Sequence, residues 1–153
     1  MPSLVDNVVA ITGSRMDIAH LLHHCFTIWE PGDDPELDFE RIIPLPSEDE
    51  CASPYWGTSR NALETAFMVK RPDFLVLWIS TASNTPDPIY LKLGELYPSL
   101  QFEIMAIDPG NSRAVTIRIR GKDASFERDA DFRKAYEQMY GEPPPEFEVE
   151  EDL

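Results

Sequence analysis

Residues 7–12 (NVVAIT) are rich in β-branched side chains and close on Gly13, a pattern that predicts a first strand. Ser14 then stands where a helix N-cap would, with Asp17 three positions on. Ile18, Leu21, Leu22, Cys25 and Phe26 recur at the i, i+3, i+4, i+7, i+8 spacing of one helical face. Farther along, Leu63, Thr65, Phe67 and Val69 alternate with Ala62, Glu64, Ala66 and Met68, and Lys70–Asp73 supplies a turn. Phe74–Thr81 is a nearly continuous apolar run, as expected of a central strand covered on both faces, so these two stretches predict an antiparallel hairpin. A second helix starts at Pro86 and Pro88, carries Ile89, Leu93, Leu96 and Tyr97 on one face, and stops at Pro98. Gln101–Ile107 and Ala114–Ile119 predict two more strands around Asp108-Pro109-Gly110-Asn111, with Pro and Gly in type II turn positions. A final helix is expected from about Asp129 to Tyr140, where Phe132, Ala135, Tyr136 and Met139 share a face and Gly141 ends it.

The order βα, ββ, α, ββ predicts an α+β fold, a ferredoxin-like α/β sandwich. Its antiparallel sheet would have about five strands, with two core helices and an added C-terminal helix. The 153-residue length suits a single domain over residues 1–141, followed by an acidic, Pro-led tail at 142–153. Residues 27–59 hold five prolines and read as a long irregular loop with one extended piece near Phe39–Ile43.

The net charge of −15 changes meaning once the acids are located. Nine lie between Glu30 and Glu50 beside one base, Arg41, and six lie between Glu142 and Asp152 with no base. The remainder carries 13 acids and 12 bases. A generic phosphate-backbone binder is disfavoured for the whole chain, but the body is close to neutral.

Cys25 and Cys51 form no C-x-x-C pair, which fits a reduced, cytoplasmic setting. The longest apolar run, Phe74–Ile79, is too short to span a membrane. No P-loop, G-x-S-x-G elbow or H-E-x-x-H motif is present, so no enzymatic activity, cofactor or metal is expected. His20 and His24, at i and i+4 beside His23, lack a third metal ligand, and a solvated helix face explains them. Asp34, Glu36, Asp38 and Glu40 alternate as in a calcium loop. Phe39 stands where an EF-hand needs glycine, so the register fails. Gly13, Ser14 and Arg15 read as helix entry, not an anion site.

Trp56, Gly57, Thr58 and Asn61, with Ile43 and Pro44 upstream, are the candidate binding surface, because Trp serves either as a core plug or as a binding wall. The alternative is a basic face. Arg118 and Arg120 share one face of a strand, Arg113 precedes them, and together they could take nucleic acid or pair with nearby acids.

NVVAITG (7–13), FERIIPLP (39–46), YWGTSRNA (55–62) and DPGN (108–111) in this order resemble the YubB-type ferredoxin-like domain family of phage and plasmid proteins. The resemblance covers about residues 7–120. The segment Ala82–Pro88 lacks the tryptophan that the family often carries there. The resemblance implies the ferredoxin-like topology and a mobile-element origin, and it assigns no reaction. The expected function is that of a small accessory protein binding an unidentified protein partner through the loop around residues 30–60. A nucleic-acid-binding module whose basic strand is masked by the acidic tail is the alternative. The sequence leaves oligomeric state open.

Overall fold

The computed structural model of the chain describes residues 3–48 and 50–145. Asp49 and residues 146–153, most of the expected acidic tail, lie outside the described residues. The fold is α+β. Strands β1 (Leu4–Thr12), β4 (Thr65–Arg71), β5 (Phe74–Ala82), β6 (Gln101–Asp108), β7 (Arg113–Arg120) and β8 (Asp123–Glu127) form one antiparallel sheet in the order β4-β5-β1-β6-β7-β8. Helices α1 (Arg15–His24) and α4 (Asp87–Leu96) cross between strands, and α5 (Phe132–Tyr140) follows β8. The excursion between α1 and β4 holds a two-residue ribbon, β2 (Phe26–Thr27) with β3 (Glu36–Leu37), and two single-turn helices, α2 (Phe39–Ile42) and α3 (Ser53–Trp56).

The alternation in β1 sorts its side chains onto two faces. Val5, Asn7, Val9 and Ile11 are buried, while Asp6, Val8 and Ala10 are half-buried on the other side. On the first face Val9, Ile11, Leu75, Leu77, Ile79, Phe102, Ile104, Ile117 and Ile119 meet Ile18 and Leu21 of α1 and Ile89, Tyr90 and Leu93 of α4 in the main core. On the second face a satellite cluster joins Ile107 and Ala114 to Ala135 of α5, with Met105, Phe132, Tyr136, Met139 and Tyr140 around them. Tyr140 also donates a hydrogen bond to Asp6, and its ring lies 5.7 Å from that of Trp78.

Ser14 caps α1 as its position implies, accepting a hydrogen bond from Asp17 N at 3.1 Å. Three expectations need correction. The sheet has six strands among the described residues, not about five, because the polar segment DASFE pairs with β7 as an edge strand. Phe39–Ile42 is helical, not extended: Asp38 accepts from Glu40 N at 3.1 Å and caps the turn. Pro109–Asn111 forms a 3-10 turn instead of a type II turn, and the left-handed position is Ser112 (φ 51°), not Gly110.

Candidate functional site

The residues singled out around Trp56 do come together, but mostly inward. Trp56 is 5% exposed, packs edge-on against Phe39 with ring centroids 5.8 Å apart, and donates from Nε1 to Ile43 O at 2.8 Å. Thr58 is buried and donates to Arg60 O at 2.6 Å. Asn61 Oδ1 accepts from Phe39 N and Ala62 N, both at 2.8 Å, while its Nδ2 donates to Asp38 Oδ1 at 2.8 Å. Asp38, itself buried, also accepts from Thr27 Oγ1 at 2.5 Å. Gly57 adopts φ 82° where a Cβ would stand 2.7 Å from Pro88 Cδ, so the chain passes directly over the start of α4. These contacts form a clasp that ties the long excursion to the main core. Ile43 and Gly57 are half-buried and only Pro44 is exposed, so no continuous binding wall results.

The exposed surface of the excursion lies at its other end. Beyond the β2–β3 ribbon, Ile28 and Trp29 are each 58% exposed. They adjoin the exposed acids Glu30, Asp33 and Asp34. The loop is ordered by Asp33 N donating to Glu30 O at 3.0 Å and by Gly32 at φ 91°. Its base is pinned by Asp38 N to Cys25 O at 2.9 Å and Leu37 N to Thr65 Oγ1 at 3.0 Å. Sequence reasoning passed over Trp29. Its signal was a bulky aromatic outside every periodic segment, followed at once by Glu-Pro-Gly-Asp-Asp.

Arg118 and Arg120 project from the sheet face that carries α5, whereas Arg113, at an odd position of β7, belongs to the opposite face. The three predicted basic residues therefore do not form one patch. Glu103 stands opposite Arg118 in the register with β6, and Asp123 opposite Arg120 in the register with β8.

The histidines lie at the end of α1. The His20 and His24 rings stack with centroids 3.8 Å apart, His23 meets His24 edge-on, and His20 Nδ1 is 2.8 Å from Tyr97 Oη. Arg41 donates from Nε to His24 O at 2.9 Å. Desolvation, then the charges of His20, His23 and Arg41, hold the His24 imidazole below its ordinary 6.5. The unfolded chain takes up this proton first, so the neutral ring favours the fold above pH 6.5 and that contribution fades as pH falls below it. NMR titration should place the His24 midpoint below 6.5. His20→Gln should move it back up by removing a stacked ring and a like charge. A midpoint unchanged by that substitution contradicts this account. Among the described residues no group of three His, Cys, Asp or Glu side chains is placed to hold a metal ion.

No helix among the described residues is long and apolar enough to cross a membrane. Compared with protein-family models, with curated proteins and with solved structures, the chain matched none.

Proposed function

We propose that this protein is a binding module that engages a protein partner through the acidic loop beyond the β2–β3 ribbon, with no catalytic step. The observation that carries this reading is the exposure of Ile28 and Trp29 side by side on an ordered, pinned loop. Water-exposed Trp is unfavourable unless another surface covers it, and Trp is enriched among the residues that dominate binding energy. The adjoining Glu30, Asp33 and Asp34 favour a partner with a basic surface around an apolar socket.

The fold reading is narrower than α+β. We infer a ferredoxin-like core in β1-α1-β4-β5-α4-β6, supported by the strand order β4-β5-β1-β6 with both crossover helices in the main core. The accessory role in a phage, plasmid or integrated element rests on the four-segment resemblance. The cytoplasmic setting rests on two cysteines that are both free, Cys25 buried and Cys51 exposed. A nucleic-acid reading draws on Arg118 and Arg120, both exposed and outside any ion pair among the described residues. Glu103 and Asp123 opposite them make it the weaker reading.

The test compares proteins captured by the intact chain with those captured by the double variant Ile28→Ala/Trp29→Ala. Capture of a basic partner should fall at least about tenfold. It should also weaken as salt is raised. The variant should melt with the parent, because both side chains are largely in water. Equal capture by both proteins overturns the proposal.

A further inference from the structure

We infer that the surface taking the Trp29 loop is carried by this same chain: a basic hollow at the ends of β6, β7 and β8 that receives the loop of a second copy, head to tail. The inference rests on the loop's being the binding surface, and it names what the loop binds. Arg118 and Arg120 of β7, Gln101 of β6 and Ala124 of β8 line an open hollow of about 350 Å³, with Asp123 as its one acid. It lies on the sheet face that carries α5.

Charge complementarity assigns the occupant. Arg118 and Arg120 are exposed, and their side chains enter no ion pair or hydrogen bond among the described residues. Glu103, opposite Arg118 in the register, accepts instead from Gln101 Nε2 at 3.1 Å. The loop is the complement: Glu30, Asp33 and Asp34 are exposed, and no Lys or Arg occurs between Ile28 and Glu36. Shape agrees with charge. Same-face neighbours on a strand stand about 7 Å apart. A flat ring between two such side chains touches each at about 3.5 Å. Arg118 and Arg120 therefore flank a slot for one indole, and a guanidinium over an indole face is an attractive pairing. The fold excludes a contact within one copy. Phe26 and Leu37 of the β2–β3 ribbon belong to the main core on the other sheet face, and Leu37 N to Thr65 Oγ1 pins the loop's base beside β4. In the order β4-β5-β1-β6-β7 the arginines lie four strand spacings away, about 19 Å. Loop and hollow are thus different surfaces of one copy, and a contact between them joins copies into a chain or a ring.

Sedimentation velocity of the full chain at rising concentration tests this. The average mass of the parent should climb above that of the monomer, and the association should weaken as salt is raised. Ile28→Ala/Trp29→Ala removes the apolar contact of the loop. Arg118→Gln/Arg120→Gln keeps the side-chain stems and removes both charges. Each double variant alone should associate at least about tenfold more weakly than the parent. All four side chains are exposed, so both variants should melt with the parent, which a thermal scan checks. In an equal mixture the first variant supplies an intact hollow and the second an intact loop, so assembly should resume and stop at a heterodimer. A parent that stays monomeric up to about 1 mM overturns the inference while leaving the capture experiment on Ile28 and Trp29 to stand or fall by itself. Undiminished association in either variant, or a mixture that does not pair, overturns it as well.

Discussion

Trp56→Ala is expected to cost about 3–5 kcal/mol of stability, the range for emptying a buried aromatic site. The side chain is 5% exposed and packs on Phe39, which is fully buried. Its loss also strips Ile43 O of the Nε1 hydrogen bond, leaving that carbonyl without this donor in a half-buried position. The surroundings cannot collapse easily, because α3 is held over α4 by the close approach of Gly57 to Pro88 and Asp87. For a chain of this length the midpoint should fall by roughly 10 °C. Denaturant unfolding of the variant and its parent measures the difference directly. A loss below about 1 kcal/mol is too small for a buried aromatic plug and contradicts the clasp. Trp29 supplies the contrast, because its removal should leave the midpoint where it was.

Asn7→Ala should cost about 2–4 kcal/mol, combining an orphaned buried hydroxyl with the cavity left by the amide. Asn7 is fully buried at the centre of the sheet. Its Nδ2 donates to Val5 O at 3.1 Å and to Thr81 Oγ1 at 3.2 Å, and its Oδ1 accepts from Tyr90 Oη at 2.8 Å. Burial raises the Tyr90 phenol well above its ordinary range, with the charge of Asp87 adding to it, so this hydroxyl stays protonated and must donate. Tyr90→Phe removes the same hydrogen bond from the other side. A double-mutant cycle over Asn7→Ala and Tyr90→Phe should show coupling, the pair costing less than the two single losses together. Additive losses contradict a shared network.

The central strands were legible in the sequence because Asn7–Thr12 is β-branched and closes on Gly13, Phe74–Thr81 is a nearly continuous apolar run, and Val115, Ile117 and Ile119 alternate with polar residues. The strand β8 was not, since an edge strand buries little: in Asp123–Glu127 only Phe126 is even half-buried. FERI, with its apolar ends, reads equally as strand or helix, and Asp38 decides for helix by capping the turn. The site was legible only in part. Trp56 and Asn61 stand out in the sequence, but whether a tryptophan faces inward depends on contacts with Phe39 and Ile43, which no local pattern states. Trp29 had no periodic neighbours to mark it as belonging to an element. Arg113 and Arg118 look like one basic cluster in sequence and separate onto two faces because their spacing is odd.

The position of β1 has a consequence for how the chain folds. Leu4–Thr12 precedes every other strand among the described residues, yet its two partners are Phe74–Ala82 on one edge and Gln101–Asp108 on the other. One edge of the central strand therefore stays open until about half of the 153 residues exist, and the other until about 70% of them do. Contacts of such sequence separation carry their loop-closure entropy before any reward, which slows folding. Emerging from a ribosome, β1 and α1 have no sheet to join until β5 is made, and the second edge of β1 closes only with β6. Until β5 is made, NVVAIT is an apolar segment with both edges open, a template for pairing with other chains.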